Sequence, residues 1–124
     1  MSDPVQDILV SLRDRVMGVS ETVLATVDGL VVAGDTDKTH PESMAALASA
    51  ALSLGHRLAD QGKTGTLRQL TAQCNAGHVI ITAVGTRALL AVITDEGIDG
   101  LAFDREIPTV VADLKKVLDN DVPR

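Results

Sequence analysis

Residues 41–62 read PESMAALASAALSLGHRLADQG, and what covers this stretch decides the fold. Proline is tolerated at the first helical position, where no backbone donor is needed, so Pro41 opens a helix that runs to about Gln61, before Gly62. Met44, Leu47, Ala51, Leu54 and Leu58 form one apolar stripe, and Ala45, Ala48, Leu52, Gly55 and Ala59 form a second. No charged residue stands between Ser43 and Gly55. A helix apolar nearly all round is covered on more than one side. One side lies on a sheet. In so short a chain few elements remain for the other, so a second protein surface is the economical cover, with the chain's own loops as the alternative.

Working outward toward the amino terminus, Gly34 to His40 is a polar loop, and before it lies a hairpin pattern. Val19 to Val27 is rich in β-branched residues and reaches Asp28-Gly29, turn chemistry that accommodates positive backbone angles; Leu30 to Ala33 is the return strand. Asp3-Pro4 starts a first helix with Val5, Ile8, Leu9, Leu12 and Val16 on one face, and Gly18 is placed to end it. In the other direction, Thr66 to Cys74 alternates weakly and reads as an edge strand, with Leu70, Ala72 and Cys74 on one face. His78 to Val84 and Arg87 to Thr94 complete a three-strand meander. Ile107, Val110, Val111, Leu114, Val117 and Leu118 mark a last helix. Its expected start is near Asp104, which puts Pro108 at the end of the first turn, where proline does least harm.

The expected fold is therefore α+β. A five-stranded antiparallel sheet carries the long central helix on one face and the N- and C-terminal helices on the other, in the order helix, hairpin, helix, three-strand meander, helix. Residues 1–119 read as one domain, followed by a short tail, 120–124.

The composition narrows the function. The chain has 124 residues, 11 Lys plus Arg against 17 Asp plus Glu, and a net charge of −6. Nucleic-acid binding needs a basic face and usually aromatic platforms, and Phe103 is the only aromatic residue. The single cysteine, Cys74, cannot form an intrachain disulfide, and Met1 to Val10 does not read as a secretory signal, so a cytoplasmic location is expected. Met44 to Gly55 is too short for the roughly 20 apolar residues of a membrane span, so no membrane insertion is expected.

Catalytic signals are sparse. Gly62-Lys63-Thr64 resembles the end of a phosphate loop, but Arg57 stands where its first glycine belongs, and the tripeptide follows a helix instead of opening one. His40, His56 and His78 have no metal-ligand spacing; His78 is expected at the surface, and His56 reads as a solvated histidine, with the rim of an interface as the alternative. Cys74 reads as a small buried side chain. Asp95, Glu96, Asp99 and Asp104 lack the calcium-loop pattern and read as solvated charge and caps, and no nucleophile elbow occurs. No catalytic, cofactor-binding or metal-binding residue is assigned, and an enzyme is not expected.

The order and spacing of several pieces resemble the roadblock/dynein light chain family, in particular its small stand-alone bacterial members. The pieces are Gly18-Val19, Val27 to Ala33, Ala45-Ala46-Leu47-Ala48 through Leu54-Gly55, Gly77 to Ile81, Val84-Gly85 and Leu89 to Val92, within Val5 to Leu118. The resemblance implies a homodimer in which the third strands pair and the central helices lie side by side. It places Ala45, Ala48, Leu52, Gly55, Ala59, Leu67, Gln69 and Thr71 at that interface. It also implies a platform for a small Ras-like GTPase, beside a sensor kinase in some settings, with Met44, Ser49, His56 and Arg57 touching the partner. Pro108 and the short tail depart from the family pattern. Two other readings stand beside it: an assembly subunit of a signalling complex without a GTPase, and a small-molecule sensor domain, which would need a pocket with convergent polar groups.

Overall fold

The structure is a computed structural model that describes residues 3–120; the expected tail, 120–124, lies outside it except for Asn120. The elements are α1 (Pro4–Arg15), β1 (Val19–Thr26), β2 (Val31–Asp35), α2 (Pro41–Gly62), β3 (Gln69–Cys74), β4 (Gly77–Val84), β5 (Ala88–Asp95) and α3 (Gly100–Asn120). The α+β expectation is met: all pairings are antiparallel and the sheet order is β2-β1-β5-β4-β3.

Strand alternation sends successive side chains to opposite faces and so divides the core in two. Leu24, Ile80, Val84, Leu90 and Val92 point to one face and meet Leu9 and Leu12 of α1 and Phe103, Ile107 and Leu114 of α3. Val23, Ala25, Ile81, Leu89 and Ala91 point to the other and meet α2. Asp3 caps α1 as expected, its carboxylate accepting from the backbone of Val5 and Gln6 at 3.0 and 3.3 Å. The helix stops at Arg15, with Gly18 in the turn beyond it.

Several expectations need correction. The β1–β2 connection is wider than an Asp28-Gly29 two-residue turn. Thr26 N–H donates to Leu30 O at 2.8 Å, and the register moves from Leu24 opposite Ala33 to Ala25 opposite Val31, which leaves Val32 in a bulge. The third strand begins at Gln69, three residues later than expected.

The last helix starts at Gly100 instead of near Asp104, and Pro108 sits inside it. Asp99 is the cap, its carboxylate accepting from Ala102 N–H at 3.0 Å. Burying Phe103 and Ile107 stabilises the first turns by roughly 1.5–3 kcal/mol each, enough to offset the ~3 kcal/mol that an interior proline costs. Pro108 and Asp104 both face solvent, so water can serve the carbonyl that the proline leaves without a donor. Cys74 is exposed, because β3 is an edge strand whose far end has no helix over it. His78 is half-buried, its Nδ1 enclosed without a partner, because Thr94 Oγ1 accepts its backbone N–H at 3.1 Å and draws this strand end against β5.

Candidate interaction surface

The orientation of α2 follows from two ties on opposite flanks. On the β1–β2 side, Ser49 Oγ donates to Val27 O at 2.5 Å. On the β3 side, Gly55 lies under Leu67 and Leu70: a Cβ on this glycine would stand 2.7 Å from Leu67 Cδ2 and 3.7 Å from Leu70 Cδ2. Between these flanks Ala45, Ala48 and Leu52 press on the sheet. With 3.6 residues per turn, the next stripe round the helix beyond Gly55 is Ala51, then Leu47, Leu54 and Leu58. These three leucines are 68%, 60% and 68% exposed. They stand on the β3 side, so the apolar flank of α2 is continuous with the free edge of the sheet.

That edge has open backbone groups. Ala83 N–H donates to Arg68 O at 3.0 Å, which fixes the alternation of the β3–β4 ladder. Residues 70, 72 and 74 turn their backbone groups toward β4, and Gln69, Thr71 and Gln73 turn theirs outward. Leu70 is half-buried toward α2 and the rest of β3 is exposed. Gln69 bends back over the sheet, where its Oε1 accepts from Thr82 Oγ1 at 3.1 Å.

The entry into α2 is held from below by an ionised carboxylate. Glu21 on β1 is 8% exposed. Its Oε1 accepts from the backbone N–H of Asp37, Lys38 and Thr39 at 2.6, 3.0 and 2.9 Å, and its Oε2 accepts from Thr39 Oγ1 at 2.9 Å. Burial alone would raise its pKa. The backbone and hydroxyl donors outweigh burial and hold it below the ordinary glutamate value.

This geometry redistributes the residues expected at the surface. Ala45, Ala48, Leu52 and Gly55 were expected at a dimer interface, and all four are buried inside the single chain. Small side chains let the helix approach its own sheet closely, and that contact uses them. Ala59 is half-buried, Leu67 is half-buried against Gly55, and Gln69 and Thr71 lie exposed at the free edge. Of the expected partner contacts, Met44 is half-buried beside the sheet, Ser49 is engaged with Val27 O, and His56 and Arg57 are exposed. His56 borders a shallow hollow with Asp60, Lys63 and Leu67. Leu47, Leu54 and Leu58 therefore form the outward stripe of α2, and Ala45, Ala48, Leu52 and Gly55 the one against the sheet. Composition offers one cue to the right choice, since a helix lying close on a sheet takes alanine and glycine there.

No group of three or more His, Cys, Asp or Glu able to hold a metal occurs among the described residues. No helix among them is long and apolar enough to cross a membrane.

The Roadblock/LC7 domain family matches residues 5–94, from α1 to the end of β5. No curated protein matches the chain significantly. Among solved structures the chain is similar to a Roadblock/LC7 domain from Streptomyces avermitilis, 27% identical with a TM-score of 0.83 over 90% of this chain and 94% of that one. It is also similar to Myxococcus xanthus MglB, 17% identical, TM-score 0.85, covering 94% of this chain and 95% of that one. A third likeness is to MglB in a tetrameric arrangement, 16% identical, TM-score 0.87, covering 98% and 95%. At these identities the likeness to MglB is one of fold.

Proposed function

From the premise that this chain belongs to the Roadblock/LC7 family, we propose that it is a non-catalytic, cytoplasmic, homodimeric platform that binds a small Ras-like GTPase and sets its nucleotide state or location. Residues 1–119 act as one unit in this reading. The observation that carries it is the continuous face made by Leu47, Leu54 and Leu58 with the open edge of β3. An exposed edge strand beside an exposed apolar flank is a pairing hazard in a lone chain. A second copy related by a two-fold axis removes both at once. An axis at Thr71 sets Gln69 of each copy opposite Gln73 of the other, so all three outward residues of β3 find partners. Assembly beyond the monomer is in keeping with the tetrameric arrangement of MglB.

The GTPase side of the reading rests on what family resemblance implies. Once the leucine flank is covered, the exposed polar end of α2 at His56 and Arg57 remains available. Regulation needs no catalytic group from this protein, only different affinities for the two nucleotide states of the partner. A sensor kinase or other signalling protein would share the same platform.

The test has two stages. A tagged protein is used to recover partners from native lysate, with a non-hydrolysable GTP analogue or with GDP. Any small GTPase enriched in one state is then purified and titrated against the wild-type protein and Arg57→Glu. The expected result is a state-selective complex that Arg57→Glu weakens without changing the dimer's mass. Absence of a GTPase in both nucleotide conditions, or equal affinity for both states, overturns the regulator reading and leaves an assembly role.

A further inference from the structure

On the sheet face opposite α2, the last turns of α3, Val32 of β2 and the β4–β5 turn line an open groove of about 270 Å³. Its apolar surface comes from Val32, Val84, Ala88 and Leu118, and its charged lining from Lys115, Arg87 and Asp119. We propose that this groove binds an anionic amphiphile, an aliphatic chain ending in a carboxylate, with the chain over Val32 and Leu118 and the carboxylate on Lys115.

Three features of the backbone and side chains build the site. The bulge that leaves Val32 outside the β1–β2 register re-aims its side chain to line the groove beside Val84 and Leu118. Gly85 has φ +63°, a left-handed conformation that favours glycine, and the stem of Lys115 lies across it. A Cβ there would meet the Cγ, Cδ and Cε of Lys115 at 3.5–3.7 Å, so the lysine stem packs on the turn and its ammonium is carried to the groove's edge.

The third feature is charge. Arg87 is already paired with Asp119 at 3.4 Å, whereas Lys115 makes no ion pair among the described residues. An apolar trough with one uncommitted ammonium at its rim is complementary to a carboxylate that trails methylenes. Ligand pockets commonly measure roughly 300–1,000 Å³, so this one suits a short chain better than a nucleotide. The groove opens on the sheet face covered by α3, whereas Leu47, Leu54 and Leu58 stand on α2, over the opposite face.

The experiment titrates the isotopically labelled full chain with decanoate, below its micelle concentration, and with decyltrimethylammonium, which has the same chain length and the opposite charge. Amide shifts are followed residue by residue. The expected result is saturable decanoate shifts centred on Val32, Val84, Gly85 and Leu118, with weaker binding of the cation. Lys115→Gln, an exposed substitution, should weaken decanoate by about fivefold, the scale of one partly exposed ion pair, and remove the preference for the anion. Val32→Asn should weaken both probes. Shifts centred instead on Leu47, Leu54 and Leu58, equal affinity for the two probes, or an unchanged affinity in Lys115→Gln would each overturn the proposal.

Discussion

Replacing Glu21 with Gln tests whether one carboxylate holds the entry into α2. In the wild type Oε1 accepts three backbone N–H groups and Oε2 accepts the Thr39 hydroxyl. A glutamine carbonyl can still face the three N–H groups, but without charge, and its amide nitrogen cannot accept from Thr39. Hydrogen bonds to a charged group contribute roughly 1.5–3 kcal/mol net against 0.5–1.5 for neutral ones. The 36–40 segment is largely solvated, so the deficit is partly made good by water. Glu21→Gln should therefore cost about 1–2 kcal/mol at pH 7, read from urea unfolding at fixed protomer concentration, because the stability of an assembling protein depends on that concentration. The pH series is the sharper arm. The folded-state pKa of Glu21 lies below its unfolded value near 4.5, so its contribution is fully present above that value and is lost as pH falls through the lower folded one. The gap between wild type and Glu21→Gln should be full at neutral pH, begin to shrink as the pH falls to the unfolded value of 4.5, and close only below the lower folded-state pKa. A gap under about 0.5 kcal/mol at pH 7, within the usual range for an inconsequential surface change, or a gap that persists unchanged at pH 3, would refute the reasoning.

The two stripes of α2 separate cleanly in a second experiment. In the proposed dimer, Leu54→Glu should bring the molar mass in light scattering from twice 13.0 kDa down to 13.0 kDa with the chain still folded. Ala48→Glu should instead cost about 3–5 kcal/mol by placing an unpaired charge in the core, so that unfolding and not simple dissociation is seen. Thr71→Pro removes an outward N–H from β3 and leaves the ladder to β4 intact; it too should give a folded monomer, with unchanged far-UV circular dichroism. Pro108→Ala restores a helix donor at a solvent-facing position and should raise stability by about 1–3 kcal/mol, measured by denaturant midpoint.

Local chemistry was the most legible part of the sequence. Asp3-Pro4 and Pro41 mark helix starts because a cap and an N-terminal proline act on adjacent backbone groups, and both helices begin where those signals stand. The start of α3 was misread because the local cost of Pro108 was weighed without the burial of Phe103 and Ile107, which only the assembled sheet supplies. The two stripes of α2 were found by spacing, but spacing carries no sign: Ala48 and Leu54 are both apolar, and which one meets the sheet depends on how closely the helix approaches. Cys74 and His78 were each assigned the wrong exposure for a related reason, since both stand at strand ends where the reach of neighbouring elements decides.

The sheet order also constrains how the chain can be made. The middle strand, β5, is the last of the five to be synthesised, and β1 pairs with it across long stretches of sequence, Val23 with Ala91 and Ala25 with Leu89. Until Asp95 has left the ribosome, the β1–β2 hairpin and β4 have no common neighbour, and α2 has no finished floor on which to seat Ala45 and Ala48. A nascent chain interrupted anywhere before β5 lacks its centre and not merely an edge. It would carry two apolar fragments with nothing between them, the kind of species that chaperones retain.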